Sequence, residues 1–327
     1  MKTKRIYPKE WSEWHPYRKT TDVDVYYADF ATDLYDFLAD IPIHRELFEQ
    51  DCHTREFCIC LTAWFEDIIS GTGIWQSFTS ECKRLYGTYL PFFYLSKNYF
   101  PGEINEEDIR FLIWHHVRQM RENPVIYPED PIIASIAREL YHFLMDDYEV
   151  APENELMQAY FNPRRTFEDF QEYRTFLEWF HFHCYFNAFN HTELATEENT
   201  TLNELAFKSR KNFLSLTTPE WLAKIFVESP QAEVLRNVKK EELSYFKITS
   251  EETEYLIADD LCDDNKKGLH IMKQSLDQRQ MPKVGQTISC VLIHYNNTYW
   301  QSGPLAHCQE NPALLLTIEN FKRESAK

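Results

Sequence analysis

TISCVLIHYNNTYWQSG, residues 287–303, decides the class of the fold. It reads as two strands joined at Asn296-Asn297, residues that tolerate the positive φ of a two-residue hairpin turn. Working back along the chain, SYFKI (244–248), TEYLIA (253–258) and GLHIMK (268–273) read as further short strands. Upstream of about residue 243 the pattern changes. There is no glycine between Gly102 and Gly268, only isolated prolines, and that is how a helical array reads. The expectation is an α+β protein. A mainly helical N-terminal domain over 1–240 is built around a central helix 166–190. A small strand-rich C-terminal domain over 241–327 follows it, as a small sheet or partly closed barrel.

Several helices carry their own start and stop signals. Thr20, Thr21 and Asp22 precede VDVYYADFATDLYDFL, which stops near Ile41-Pro42. A second helix runs from about Thr54 to Ser70, with Phe57, Leu61, Trp64, Phe65 and Ile68 at helical spacing, and ends at Gly71. A third covers Ile74 to Tyr86 and ends at Gly87. Asn105 caps a fourth whose stripe is Ile109, Leu112, Ile113, His116, Val117 and Met120, and Pro131 opens a fifth. Thr166 opens the central helix, where Phe170, Tyr173, Leu177, Phe180, Cys184 and Ala188 form one apolar face. Trp179, Phe182, Phe186 and Phe189 form a second, so the helix is expected to be buried on both sides. Shorter helices are expected at 202–213 and 219–228, with Thr218 capping Pro219. The opening stretch, with Lys2, Lys4, Arg5, Lys9, Arg18 and Lys19 interleaved with Glu10 and Glu13, reads as a solvated leading segment.

Composition narrows the function. A net charge of −18 argues against nucleic acid and anionic membrane as partners, because both are bound through Lys and Arg; a basic or neutral partner fits better. With only seven glycines, no GxGxxG, GxxxxGK[ST] or GxSxG motif can be written, which removes the Rossmann, P-loop and nucleophile-elbow signatures. The start lacks an apolar h-region and no long apolar run suggests a span, so a cytoplasmic protein is expected. Eight cysteines without a CxxC pair are expected as free thiols.

Two ExxH pairs, Glu139/His142 and Glu178/His181, raise the idea of a carboxylate-bridged metal centre, since Glu and His three apart share a helix face. Chance accounts for two such pairs in a chain this rich in glutamate. The first pair lies opposite the apolar stripe of its helix and is expected to face solvent. Glu178 and His181 fall in the seam between two apolar faces, with His183 on the other seam. They are the candidate catalytic residues, together with His116, and the competing reading is a hydrogen-bonded structural pair. His115 should point away from the stripe. Cys184 lies near His181 and His183 but on the buried face, which makes it packing, and Cys58 and Cys60 have no histidine at helical spacing. Tyr89, Phe92, Phe93 and Tyr94 crowd an aromatic connection, either a plug over the core or the wall of a ligand-binding groove.

IYPKEWSEWHPY (6–17), AWFEDIISGTGIWQSFTSECKRLYGTYLPFF (63–93) and DIRFLIWHHV (108–117) resemble a family of uncharacterised bacterial proteins of unknown function. The resemblance covers chiefly the N-terminal third and carries no activity and no catalytic residues. The leading expectation is a non-catalytic binding or adaptor protein, with the aromatic loop or the C-terminal sheet as contact surface and an unknown protein or small molecule as partner. No cofactor and no metal are expected. The alternatives are an enzyme using Glu178, His181 and His116, with or without a metal, and an acidic nucleic-acid mimic.

Overall fold

The stop signals of the N-terminal sequence become helix ends. In a computed structural model, residues 5–17, 19–48, 50–120, 126–185, 206–210 and 213–325 are described. The chain is α+β and divides into two units. One comprises Met1–Glu198, Arg210–Leu216 and Lys224–Pro230; the other comprises Asn199–Ser209, Thr217–Ala223 and Gln231–Lys327.

In the first unit α1 (Pro8–Ser12), α2 (Asp22–Asp40), α3 (Asp51–Ser70), α4 (Ile74–Tyr86), α5 (Glu106–Met120), α6 (Pro131–Asp147), α7 (Glu155–Tyr160) and α8 (Phe170–His183) follow one another. Thr21 and Asp24 close a reciprocal capping box on α2, and Asp130 caps α6. Gly71 takes the left-handed conformation that ends α3, and α4 leaves at 92° to it. No single described helix is long and apolar enough to cross a membrane. The core is aromatic: Phe30 stacks on Phe65 at 5.0 Å, and Trp75 packs on Trp64, Phe78 and Phe111.

Three expectations for this unit are corrected. The leading segment is packed rather than solvated: Ile6, Trp11, His15 and Tyr17 are buried, and Trp11 stacks on Tyr27 at 6.0 Å. Its alternating charges hid four inward-facing positions. The central helix is shorter than 166–190. Asp169, not Thr166, accepts from the Glu172 N–H and opens it, and Cys184 leaves the helix in an extended conformation. Nor is it apolar on both sides, since Phe170, Tyr173, Phe176, Leu177 and Phe180 are buried while Trp179 and Phe182 are half-exposed; residues 186–190 lie outside the described residues.

The second unit holds α9 (Thr218–Ile225, shared with the first unit), α10 (Ala232–Arg236), six strands and α11 (Pro312–Ser325). Thr217 rather than Thr218 caps α9: its hydroxyl accepts from the Glu220 N–H while Glu220 accepts from the Thr217 N–H. Of the helix expected at 202–213, residues 206–208 are helical; 202–205 and 211–212 lie outside the described residues. α11 was not expected; Asn311 accepts from the Leu314 N–H at its start, an Asx cap that a strand-dominated context obscured.

The strands are β1 (Lys239–Lys240), β2 (Ser244–Glu251), β3 (Tyr255–Asp260), β4 (Leu269–Met272), β5 (Thr287–Tyr295) and β6 (Thr298–Cys308). β2, β3 and β4 form an antiparallel meander, with Ile248 opposite Ala258 and Leu256 opposite Ile271. β4 meets β6 in a parallel rung at Ile271 and Tyr299, β6 returns along β5, and β5 pairs with β2, which closes the ring. Asn296 and Asn297 both carry positive φ in the β5–β6 turn. Closure of five strands in this order is the connectivity of an OB-type Greek-key barrel. Its interior is filled by Phe246, Ile248, Leu256, Ala258, Ile271, Ile288, Cys290 and Leu292.

Candidate functional site

The inward row of β3 runs Leu256, Ala258, Asp260. Two apolar residues are followed by a carboxylate, so the barrel interior ends in a charge. Here the barrel opens into a cleft of about 880 Å³, a volume in the range of ligand pockets, and barrel mouths are a favoured place for them. Phe246, Leu269 and Leu292, whose side chains belong to the barrel core, also line the cleft. Tyr299 and Phe321 add two rings, and Phe321 sits edge-on to Tyr245 at 5.8 Å.

Asp260 is 7% exposed. The Ser244 hydroxyl and the Cys262 N–H donate to its Oδ1 at 2.6 and 2.8 Å, while Oδ2 takes no hydrogen bond among the described residues. Around it the cleft is lined by Glu241, Glu242, Asp263 and Asp264, against Lys266 and Lys322. Lys266 donates to Glu241 at 2.7 Å and Lys322 to Asp264 at 2.7 Å. Burial works against the Lys266 charge, but the hydrogen bond to Glu241 and the carboxylates of Glu241, Asp260 and Asp263 outweigh it and hold its pKa above the usual lysine value. Burial, then Glu241, raises the Tyr299 phenol, which therefore stays protonated. The signal that could have found this site is the charge at the end of an alternating apolar row in TEYLIADD.

The expected catalytic residues fall in the first unit. Glu178 accepts from the Arg174 Nε one turn away at 2.7 Å, so its charge is balanced on its own helix. His181 is pushed down to about 4 by burial, and His183 is exposed. His116 packs on Phe57 and Phe48, and its Nε2 lies 3.2 Å from the His53 carbonyl, which can only accept. Burial pushes His116 down to about 3, which keeps the ring neutral. Glu139 and His142 are exposed on α6. Among the described residues no three His, Cys, Asp or Glu side chains are grouped as metal ligands would be.

Of the aromatic connection, Phe93 is 7% exposed and packs on Phe111 and Trp114 at 5.6 and 5.7 Å, whereas Phe92 is 67% exposed and Tyr94 more so. Tyr89 lies against Tyr99 at 5.4 Å with Lys83 over its ring. Phe93 is thus a plug, and its neighbours stand on the surface. Phe93→Ala should cost about 3 kcal/mol in a denaturant titration, while Phe92→Ala should stay within about 0.5 kcal/mol. Equal losses would mean that the two rings share one packing role.

Two buried carboxylates that the sequence did not single out dominate the polar interior of the first unit. Glu66 meets His15 Nε2 at 2.7 Å, both side chains 2% exposed, and accepts from Asn154 Nδ2 at 2.7 Å. Asn154 also donates to the Tyr17 hydroxyl, which donates to Asp24 at 2.8 Å. The next residue, Asp67, accepts from the Thr72 hydroxyl, the Ile74 and Trp75 N–H groups and the Tyr185 hydroxyl. Among the described residues these groups satisfy one another inside the core, which makes them structural.

A family model described as Protein of unknown function (DUF3843) matches residues 5–281. No curated protein and no solved structure matches the chain.

Proposed function

The chain belongs to this family of unknown function, and from that premise we propose that it is a non-catalytic binding or adaptor protein of the cytoplasm whose ligand enters the mouth of the C-terminal barrel. The observation that carries the reading is the cleft itself, where three side chains of the barrel core and a buried carboxylate are reached from outside. An apolar floor supplies affinity by excluding water, and a few placed polar groups supply orientation. All eight cysteines are free, five of them buried, in keeping with a reducing compartment.

The acidic rim speaks against the oligonucleotides that barrels of this connectivity often hold, since such binding relies on a positive groove and stacked bases. A titration with 1-hexanol, followed by methyl NMR, tests the reading. Shifts at Leu269 and Leu292 are expected, and beyond the cleft they should die away. Shifts confined to the helical unit, or none at all, would overturn it.

A further inference from the structure

We infer that α11 is a lid over the barrel mouth, hinged at residues 309–311 and drawn down when a ligand fills the cleft; this rests on the reading of the mouth as a ligand site and adds how that site is closed. The helix turns a single side to the barrel. Over residues 312–323, Leu314, Thr317, Ile318, Phe321 and Lys322 are buried or half-buried and the others are exposed, which is the i, i+3, i+4, i+7, i+8 spacing of one helical face. Of these only Ile318 is fully packed, at 7% exposure. A helix of 14 residues is marginal in water without packing, so one seated by so narrow a stripe stands at the low-stability end of its unit.

Its two ends are held differently. Ahead of the helix, Glu310 accepts from the Lys247 ammonium and the Thr287 hydroxyl, which ties the chain to β2 and β5. Gln309, Glu310 and Asn311 form a short connection without regular structure between β6 and α11. At the far end Phe321 and Lys322 reach the cleft. Phe321 meets Tyr245 edge-on, and Lys322 donates to Asp264 at 2.7 Å and feels the Asp260 charge as well. Part of the acidic rim is therefore the seat of the lid's own cation. That seat is light, because the Asp264 side chain is 78% exposed and an ion pair in water contributes little. A pivot tied to the barrel and a lightly held far end at the mouth make a hinged cover. The direction of its movement follows from what remains uncovered: a bound ligand loses most of its surface to the protein, and Phe321, half-exposed on the inward stripe, is apolar surface that α11 can lay over one.

Hydrogen–deuterium exchange of the full chain, with and without 1-hexanol, reads the lid directly. Because the closed form holds the ligand, hexanol at about ten times its Kd should slow the amides of residues 314–323 about tenfold, the factor by which a ligand favours the state it binds. Lys322→Gln removes the charge from the latch at the surface, where the barrel is not at risk, and should speed the same amides about fivefold in the empty protein. Phe321→Ala should weaken hexanol binding about tenfold, as the loss of an apolar cover predicts; unchanged affinity would overturn the part given to that ring. Methyl shifts at Leu269 and Leu292 with no change of exchange in α11 would make the helix a fixed wall and overturn the lid. Faster exchange on adding hexanol would make it a plug that the ligand displaces, and would overturn closure equally. Wild-type exchange in Lys322→Gln would overturn the latch. No shift at Leu269 or Leu292 would overturn the mouth as a ligand site, and the lid with it.

Discussion

Asp67→Ala should cost the helical unit at least about 4 kcal/mol, because it strands four buried donors and each unmet donor costs roughly 1–3 kcal/mol. Thr72, Ile74, Trp75 and Tyr185 all give their hydrogens to this one carboxylate. Two of the donors are backbone N–H groups at the start of α4, so the side chain also serves as that helix's N-terminal cap. A third comes from the residue after Cys184, where the chain leaves α8. Losing Asp67 therefore loosens both the α3–α4 corner and the end of α8. Asp67→Asn keeps one acceptor oxygen and turns an N–H₂ toward the other donors, so its loss should be intermediate. Urea titrations of the three proteins supply the comparison; a loss below 1 kcal/mol for the alanine variant would mean that water replaces the carboxylate, and that the corner is not sealed.

The pH dependence of that loss has a definite sign. Burial raises the Asp67 pKa against the pull of its four donors. The folded chain then holds this proton more tightly than the unfolded chain does. Such a group lends stability that is fully present below the unfolded value of 3.8 and is lost as pH rises through its raised folded value. Asparagine has no such slope, so the deficit of Asp67→Asn should be larger at mildly acid pH than at neutral pH. A deficit that grows toward neutral pH would show that the ionised carboxylate is the tightly held form.

How much of this was legible in the sequence depended on the reach of the interactions. The strands, the Asn296-Asn297 turn, the stops at Gly71 and Gly87 and the Thr21 cap are set within a few residues, and the sequence carries them openly. Closure of the barrel is not local, since β4 and β6 meet across the whole β5 strand. The buried carboxylates are further out of reach: Glu66 finds His15 51 positions away and Asn154 88 away, and Asp67 finds Tyr185 118 away. A charged residue on an apolar helix face announces that a partner is needed but not where it lies. The mixed charges around IYPKEWSEWHPY misled for the converse reason, because the buried Ile6, Trp11, His15 and Tyr17 run from before α1 to the turn beyond it, with no single period. Asp260 was readable by period, as the third member of an inward row, and was missed because the strand was read for its apolar residues alone.

Glu66→Ala should cost about 3–5 kcal/mol, the range for a buried ion pair stripped of one partner. The carboxylate joins α3 to the leading segment through His15 and to the start of α7 through Asn154, so its loss leaves the His15 Nε2 and one N–H of Asn154 without their partner in a closed interior. Burial alone would keep His15 neutral, but the Glu66 charge and hydrogen bond, aided by Asp24, overcome it and the pKa is raised. A histidine raised in this way lends stability that is fully present below its unfolded value of 6.5 and is lost as pH climbs through the folded value. Glu66→Gln keeps an oxygen for Asn154 and removes only the charge. Its penalty should therefore be greatest at mildly acid pH, where His15 is charged in both folded and unfolded chains, and should shrink in alkaline solution as His15 gives up its proton in the wild type as well. Chemical denaturation across that range, with His15→Gln beside it, isolates the pair: the two single losses should overlap rather than add, since each removes the same contact. A Glu66→Gln penalty that does not move with pH, or losses that sum in the double variant, would mean that His15 is neutral in the folded chain and that Glu66 acts only through Asn154.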